Sequence, residues 1–277
     1  MLGLKVSARV VWGYSVRLAP QGKGRVAYTF PPPSTVLGAF IASLQKVVGD
    51  RRELTTKNTG KKARILSAGE DYKHLFADVF LDVSQIHVKI YGEPSIQNFL
   101  YKLRDKEKIR KMGPTEPKHN FIANPAAFAP GGVLNVLYVV DKNVLSGSTI
   151  SQRDLERAAW GISRFGSKES VAYVNDVELL DLREDVLEDV VTKYSFVKMP
   201  EYDIKGTNYT IERVVDWKHS EMGDYTNAKK VLMVYPTRDP KYPEHVGVRV
   251  VSKKPIQTYV INHKEEYAIK YVDGDGA

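Results

Sequence analysis

Six histidines and no cysteine leave this 277-residue chain a short list of side-chain chemistries. Without thiols there are no disulfides, no thiolate metal sites and no cysteine nucleophile, which fits a reducing compartment or a heat-adapted protein. Metal-free cleavage of a phosphodiester needs a general base and acid beside a cationic stabiliser, a role for His or Tyr with Lys. His74, His87, His119, His219, His245 and His263 are scattered, and none stands in such a motif, so each reads as a surface or core residue. No HExxH-like or closely spaced His/Asp constellation occurs, and neither a metal nor another cofactor is expected.

What remains is charge. The net value is +8, but residues 1–64 hold 12 Lys or Arg against 2 Asp or Glu, while the rest holds 29 against 31. Clustered cations release condensed counterions when they neutralise phosphates, so the basic end points to a polyanion, with an acidic protein as the alternative. Its candidate contacts are Arg9, Arg17, and Lys23 and Arg25 in a flexible Gly-Lys-Gly-Arg loop too short and wrongly placed for a P-loop. Trp12 and Tyr14 share a parity on the first strand, where each can stack on a base or pack in the core. The loop from Gly49 to Ser67 carries Arg51, Arg52, Lys57, Lys61, Lys62 and Arg64 and is expected to be mobile. The acidic run Asp176, Glu178, Asp181, Glu184, Asp185, Glu188 and Asp189 repels phosphate and is expected to face solvent or a basic neighbour.

The elements that position these residues begin at Tyr28–Leu44, YTFPPPSTVLGAFIASL. Three prolines end an extended aromatic segment, and Ser34 is placed to cap a helix whose apolar stripe is Leu37, Phe40, Ile41, Leu44 and Val48. The amides at that helix start can also hold a phosphate. A second helix opens at Ser151-Gln152-Arg153-Asp154, a capping box with Asp in place of Glu, and continues through Leu155, Ala158, Ala159 and Ile162. The block Arg164-Phe165-Gly166-Ser167-Lys168-Glu169-Ser170 follows. Gly166 is expected to end the helix in a left-handed conformation and to let a ligand approach its backbone, with Arg164, Ser167 and Lys168 beside it.

In that order, the PPPST helix start and the glycine-containing turn resemble a CRISPR-associated family of the RAMP superfamily, the fifth Cas family. The two motifs cover about a tenth of the chain. The resemblance implies a subunit of a type I effector complex (Cascade), archaeal and type I-A, that caps the 5′ handle of crRNA in antiviral defence. It implies as partners crRNA, the helical backbone subunit of the seventh Cas family and the large subunit. RNA contacts then fall on Arg9, Tyr14, Arg17, Lys23, Arg25, Ser34, Arg164, Gly166, Ser167 and Lys168.

Strand-like segments at Lys5–Val16, Gln85–Tyr91, Val133–Val140 and from Val171, with the two helices, give β-α-β-β-α-β. This is an α+β, ferredoxin-like arrangement, whose sheet is an RNA-binding platform in RRM modules and, by resemblance, in RAMP proteins. The expected division is a ferredoxin-like domain over 1–190 and a β-rich extension over 191–277, with strands at Val231–Tyr235, Val246–Val251 and Thr258–Ile261 and a DPKYP turn at Asp239–Pro243. Between the second and third strands, residues 92–132 form an insertion too long for a hairpin loop. Its later half is basic, with Lys102, Arg104, Lys106, Lys108, Arg110 and Lys111 on a solvated helix or, as the resemblance implies, on a thumb beside crRNA and the backbone subunit. At 43% hydrophobic residues, with no uncharged run near 18, the chain is expected to be soluble, cytoplasmic and not in a membrane. Three functions stand open: a non-catalytic crRNA binder, a metal-independent crRNA-processing endoribonuclease, and a basic assembly protein without RNA.

Overall fold

The computed structural model describes residues 1–16, 27–59, 62–91, 126–168, 170–223, 228–238, 246–261 and 266–272. β1 (Leu2–Val10) alternates apolar and polar side chains and so presents two faces. The chain breaks at Val11 and Trp12 and resumes as β2 (Gly13–Tyr14), so the strand expected over Lys5–Val16 is two. Gly13 permits this: its φ is 144°, and a Cβ there would lie 2.0 Å from the Ala127 carbonyl oxygen.

α1 (Pro33–Val47) starts one residue before the serine expected to cap it. Pro33 suits the first helical position, where an N–H has no intrahelical partner. The N-cap is Pro32, whose carbonyl accepts from the amides of Thr35 (2.9 Å) and Val36 (3.2 Å). Ser34 makes no capping hydrogen bond, which corrects that expectation. Leu37, Phe40, Ile41 and Leu44 are buried, whereas Val48 lies past the helix end and is exposed.

β3 (Leu54–Thr59) and β4 (Lys62–Ser67) form an antiparallel hairpin where the residues suggested a mobile loop. After α2 (Glu70–Lys73) comes β5 (Phe76–Asp82), the second long strand of the main sheet. The strand expected at Gln85–Tyr91 is mostly absent. Only β6 (Lys89–Tyr91) forms there, paired with β7 (Ala126–Phe128). β5 is buried on both faces, so it lacks the period-two signal that Ile86, Val88 and Ile90 imitate.

β8 (Val133–Val140), α3 (Lys142–Ser146), α4 (Gln152–Trp160) and β9 (Ala172–Asp181) follow. The main sheet has the order β5-β8-β1-β9, with every neighbouring pair antiparallel. The capping box of α4 forms as its residues require: Ser151 Oγ accepts from the Asp154 amide, and the Asp154 carboxylate accepts from the Ser151 amide. α1 and α4 share one core with Leu4, Val6, Ala8, Val136, Tyr138 and Val140 on the inner face. Phe40 meets Tyr138 at 4.6 Å between ring centroids, and the Tyr138 hydroxyl donates to the Val36 carbonyl.

The outer face carries Phe80, Leu137 and Val139, which pack with Leu182, Tyr194, Tyr259 and Ile261. These belong to a strand-rich region: β10 (Arg183–Thr192), β11 (Phe196–Val197), β12 (Tyr202–Lys205), β13 (Tyr209–Val215), β14 (Lys230–Pro236), β15 (Val248–Ile261) and β16 (Glu266–Ile269). Two sheets result, β10-β15-β12 with β16 on β15, and β11-β14-β13. Val231–Tyr235 lies in β14, and the other two expected strands both fall on β15, with Val246 and Gly247 preceding it. The division expected after residue 190 falls inside β10, and the DPKYP turn lies outside the described residues. The fold is mixed α/β and mostly sheet.

Candidate functional site

The turn after α4 is built on serine hydroxyls and one glycine. Gly161, not Gly166, caps the helix, at an ordinary φ of −81°, which corrects the expected left-handed terminus. Gly166 stands five residues on, at φ +106°, and a Cβ there would lie 2.8 Å from both the Ser15 carbonyl oxygen and Val16 Cγ2. Only glycine meets both demands. Around it, the Ser167 amide donates to the Ser15 carbonyl (3.1 Å), the Ser15 amide donates to Ser170 Oγ (2.9 Å), and the Ser167 and Ser170 hydroxyls are 3.1 Å apart. Phe165, fully buried, anchors the turn to the core.

This turn forms one wall of a groove of about 290 Å³, and α1 forms the other. The turn gives Gly161, Ser163, Arg164 and Gly166; the helix gives Ser34, Thr35, Gly38, Ala39, Ala42, Ser43 and Lys46. The PPPST helix start and the glycine turn, 120 residues and more apart in the chain, thus meet at one surface. Val16 and Tyr28, which bracket residues 17–26, also meet there: the Tyr28 amide donates to the Val16 carbonyl at 2.9 Å, and Val16 lies against Gly166. Sequence reasoning missed Lys46, Ser43 and Ser163. The available signal was the small-residue side of α1, Ser34, Gly38 and Ala42 at every fourth position, opposite its apolar stripe.

Ser34, Arg164 and Gly166 are therefore brought together, with Ser167 and the exposed Lys168 on the same turn. Arg9 is elsewhere, exposed on the outer face of the sheet with Val133 and Tyr173 as cross-strand neighbours. Part of that face is covered by the C-terminal strands, so the whole sheet is not an open platform, because Phe80, Leu137 and Val139 require burial. Tyr14 does not offer a ring for stacking. It is fully buried, and its hydroxyl donates to the Thr29 carbonyl at 2.6 Å; burial, then the nearby Glu212 charge, pushes its phenol well above the usual range. Glu212 also accepts from the amides of Thr29 (2.7 Å) and Phe30 (3.3 Å), so β13 braces the approach to the prolines. Arg17, Lys23, Arg25, Lys102, Arg104, Lys106, Lys108, Arg110 and Lys111 lie outside the described residues.

A second polar cluster lies on the strap of residues 216–222, and its charges are paired. Asp216 Oδ2 lies 2.6 Å from His219 Nδ1 and accepts from the Tyr271 hydroxyl at 2.8 Å. Lys218 Nζ stands 2.7 Å from Asp78 Oδ1 and donates to the Tyr271 carbonyl. Burial pushes the Asp78 carboxyl up to about 6, with Lys218 and the Tyr259 hydroxyl opposing the shift. Glu221 holds Lys57 (3.1 Å) and Arg64 (3.0 Å), clamping the β3–β4 hairpin to the strap. Arg52 pairs with Asp50 and Asp71. The acidic run finds basic neighbours in part: Asp181 with Lys142, Asp189 with Arg249 and Glu184 with Lys270. Among the described residues no group of three His, Asp or Glu side chains could hold a metal, and no helix is long and apolar enough to cross a membrane.

A family model described as CRISPR-associated protein (Cas_Cas5) matches residues 11–229, a span that includes both walls of the groove. Two relatives from Saccharolobus solfataricus are similar over 222 residues, 79% of this chain and 81% of theirs. They are the CRISPR system aCascade subunit Cas5 1, at 27% identity, and the CRISPR-associated protein Cas5 3, at 25%. In fold, the chain is similar to the crystal structure of a CRISPR protein from Archaeoglobus fulgidus, with a TM-score of 0.61 and 19% identity over 98% of this chain and 100% of that one.

Proposed function

This chain belongs to the CRISPR-associated Cas5 family, and from that premise we propose that it is a non-catalytic crRNA-binding subunit of a type I-A Cascade complex, holding the 5′ handle beside the backbone and large subunits. One observation carries the reading: the groove joins the PPPST helix start, the glycine turn and the bracket of the basic segment 17–26. A surface assembled from two distant segments, with Val16 and Tyr28 meeting beside it, lined by hydroxyls and bordered by Lys46 and Arg164, suits a sugar-phosphate chain. The name of the aCascade relative supports the complex. The order β5-β8-β1-β9 with two helices on one face supports the ferredoxin-like description, with the strands beyond residue 190 as an extension that braces the segment leading into α1 through Glu212. A binding role is favoured over cleavage because Lys218, the cation next to His219, already faces Asp78 and the Tyr271 carbonyl.

Incubating the purified chain with labelled CRISPR-repeat RNA in the absence of metal tests the reading. RNA bound and intact is expected, with log affinity falling against log salt by about 0.7 for each phosphate neutralised. RNA that is bound and cut overturns the non-catalytic assignment; RNA left unbound overturns crRNA recognition by the isolated subunit.

A further inference from the structure

We propose that the free edge of β9, continued by the first half of β10, is a strand-addition site for an extended, Lys- or Arg-bearing segment of a protein partner. The site is separate from the groove on α1 and does not depend on RNA. Backbone pairing is the first ground. β9 ends the order β5-β8-β1-β9 and β10 ends the order β10-β15-β12, so two strands separated by Leu182 alone are the edges of two sheets in succession. β1 pairs with one side of β9 and β15 with one side of β10, and among the described residues no strand pairs with their other sides. The Val186 amide donates to the carboxylate of its own neighbour, Asp185, at 2.8 Å. A row of unpaired N–H and C=O groups of this kind is a template for another chain.

Side-chain alternation is the second ground. On the face of β9 that packs towards the helices, Val174, Val177 and Leu179 are only partly buried, so the apolar row of the sheet stops short of closure at its edge. At Asp181 the edge runs into a groove of about 550 Å³ beside α3 and the start of α4, lined by the partly buried Leu145 and Ile150. An added strand sets every second side chain beside this row, where apolar residues leave water.

Charge is the third ground, and it selects the occupant. Asp176 and Glu178 are exposed on the opposite face of β9, and Asp185 and Glu188 are exposed on β10. Asp181, Glu184 and Asp189 have Lys142, Lys270 and Arg249, but the other four make no ion pair among the described residues, although Lys5 stands across the ladder from Glu178. Such an edge repels a phosphate backbone, and a second copy of it would set carboxylates against carboxylates. Its complement is a strand in which Lys or Arg alternates with apolar residues.

The test uses the full chain and three synthetic peptides of about ten residues: Lys alternating with Val, Glu alternating with Val, and the Lys peptide with alternate backbone nitrogens methylated. Binding is read by fluorescence anisotropy, and the surface used by hydrogen exchange at residues 173–180 and 184–188. The Lys peptide is expected to bind about tenfold tighter than the other two and to slow exchange on this edge about tenfold. Asp176→Asn with Glu178→Gln should weaken it about tenfold at unchanged melting temperature and leave the binding of CRISPR-repeat RNA as it was. A methylated peptide that binds as tightly as its parent shows attraction of charge without strand pairing and overturns the site; so does a Lys peptide that fails to bind or protects other residues. Protection of 173–180 by repeat RNA, or by dimerisation of the chain alone, assigns the edge to another occupant and also overturns it. Loss of RNA binding by the wild-type chain bears on the crRNA reading and leaves this proposal in place.

Discussion

The β3–β4 hairpin and the groove on α1 are both basic, both lie in the first 64 residues or touch them, and look alike in composition, yet the fold treats them oppositely. In the hairpin, Lys57 and Arg64 share Glu221, a residue more than 150 positions away, and Arg52 is held by Asp50 and Asp71. At the groove, Lys46 and Arg164 have no ion pair among the described residues, and their neighbours are hydroxyls and small side chains. A cation already neutralised has little to offer a phosphate, because the ion pair must break before counterion release can contribute. Among the described residues, the cations left without an ion pair are thus fewer than the charge excess suggests, and their location is set by which carboxylates the fold brings near.

The sharpest break of that contrast comes from the strap that clamps the hairpin. Lys218→Met leaves Asp78 buried without its cation and is expected to cost about 3 kcal/mol at pH 8. Asp78 already titrates at about 6, above an unfolded carboxyl near ~3.9, so its ionised form destabilises the fold, and this penalty grows as pH rises from ~4 to 6. Removing Lys218 raises that value further, so the variant's deficit against wild type should be largest at pH 8, shrink as the pH falls towards about 6 and nearly vanish below it, where Asp78 is protonated in both proteins. Thermal melts from pH 5 to 8 measure this, and a deficit that grows on acidification contradicts the pairing.

On the groove side, Gly166→Val forces a β-branched residue to φ +106° against Ser15 and Val16. A loss of about 2 kcal/mol is expected from the backbone conformation, with handle-RNA affinity falling too. A variant that melts and binds like wild type would show that the turn has another conformation in solution. The smallest effects make the cleanest comparison. Arg164→Ala with Lys46→Ala should lower RNA affinity about tenfold with little change in melting temperature, whereas Lys57→Ala with Arg64→Ala should leave affinity nearly unchanged. Equal losses in both pairs, measured by fluorescence anisotropy at fixed salt, would remove the distinction between paired and unpaired cations.

Much of the fold was legible in the residues. The α1 stripe Leu37, Phe40, Ile41 and Leu44, the capping box at Ser151 and Asp154, and strand β8 all formed where their local signals stand, because periodicity and capping are properties of neighbours in sequence. β5 and the hairpin were not legible. β5 is buried on both faces and has no alternation, and the ion pairs that tie the hairpin to the strap come from Glu221, more than 150 positions on. Of the site, the two motifs were visible as separate blocks, and Ser34 and Gly166 were among the expected contacts, but the local roles expected of them, helix cap and helix terminus, are not the ones they have.

By itself, the sequence determined the two long helices, α1 and α4, and that the N-terminal quarter carries the positive charge; these follow from side-chain type and short-range spacing. Only the tertiary structure decided that α1 and the glycine turn share one groove, that Tyr14 faces the core and that Glu221 silences Lys57 and Arg64. Those outcomes are contacts between residues more than a hundred positions apart, or burial set by the prolines and β13. They depend on which surfaces the sheet brings together and not on any local pattern.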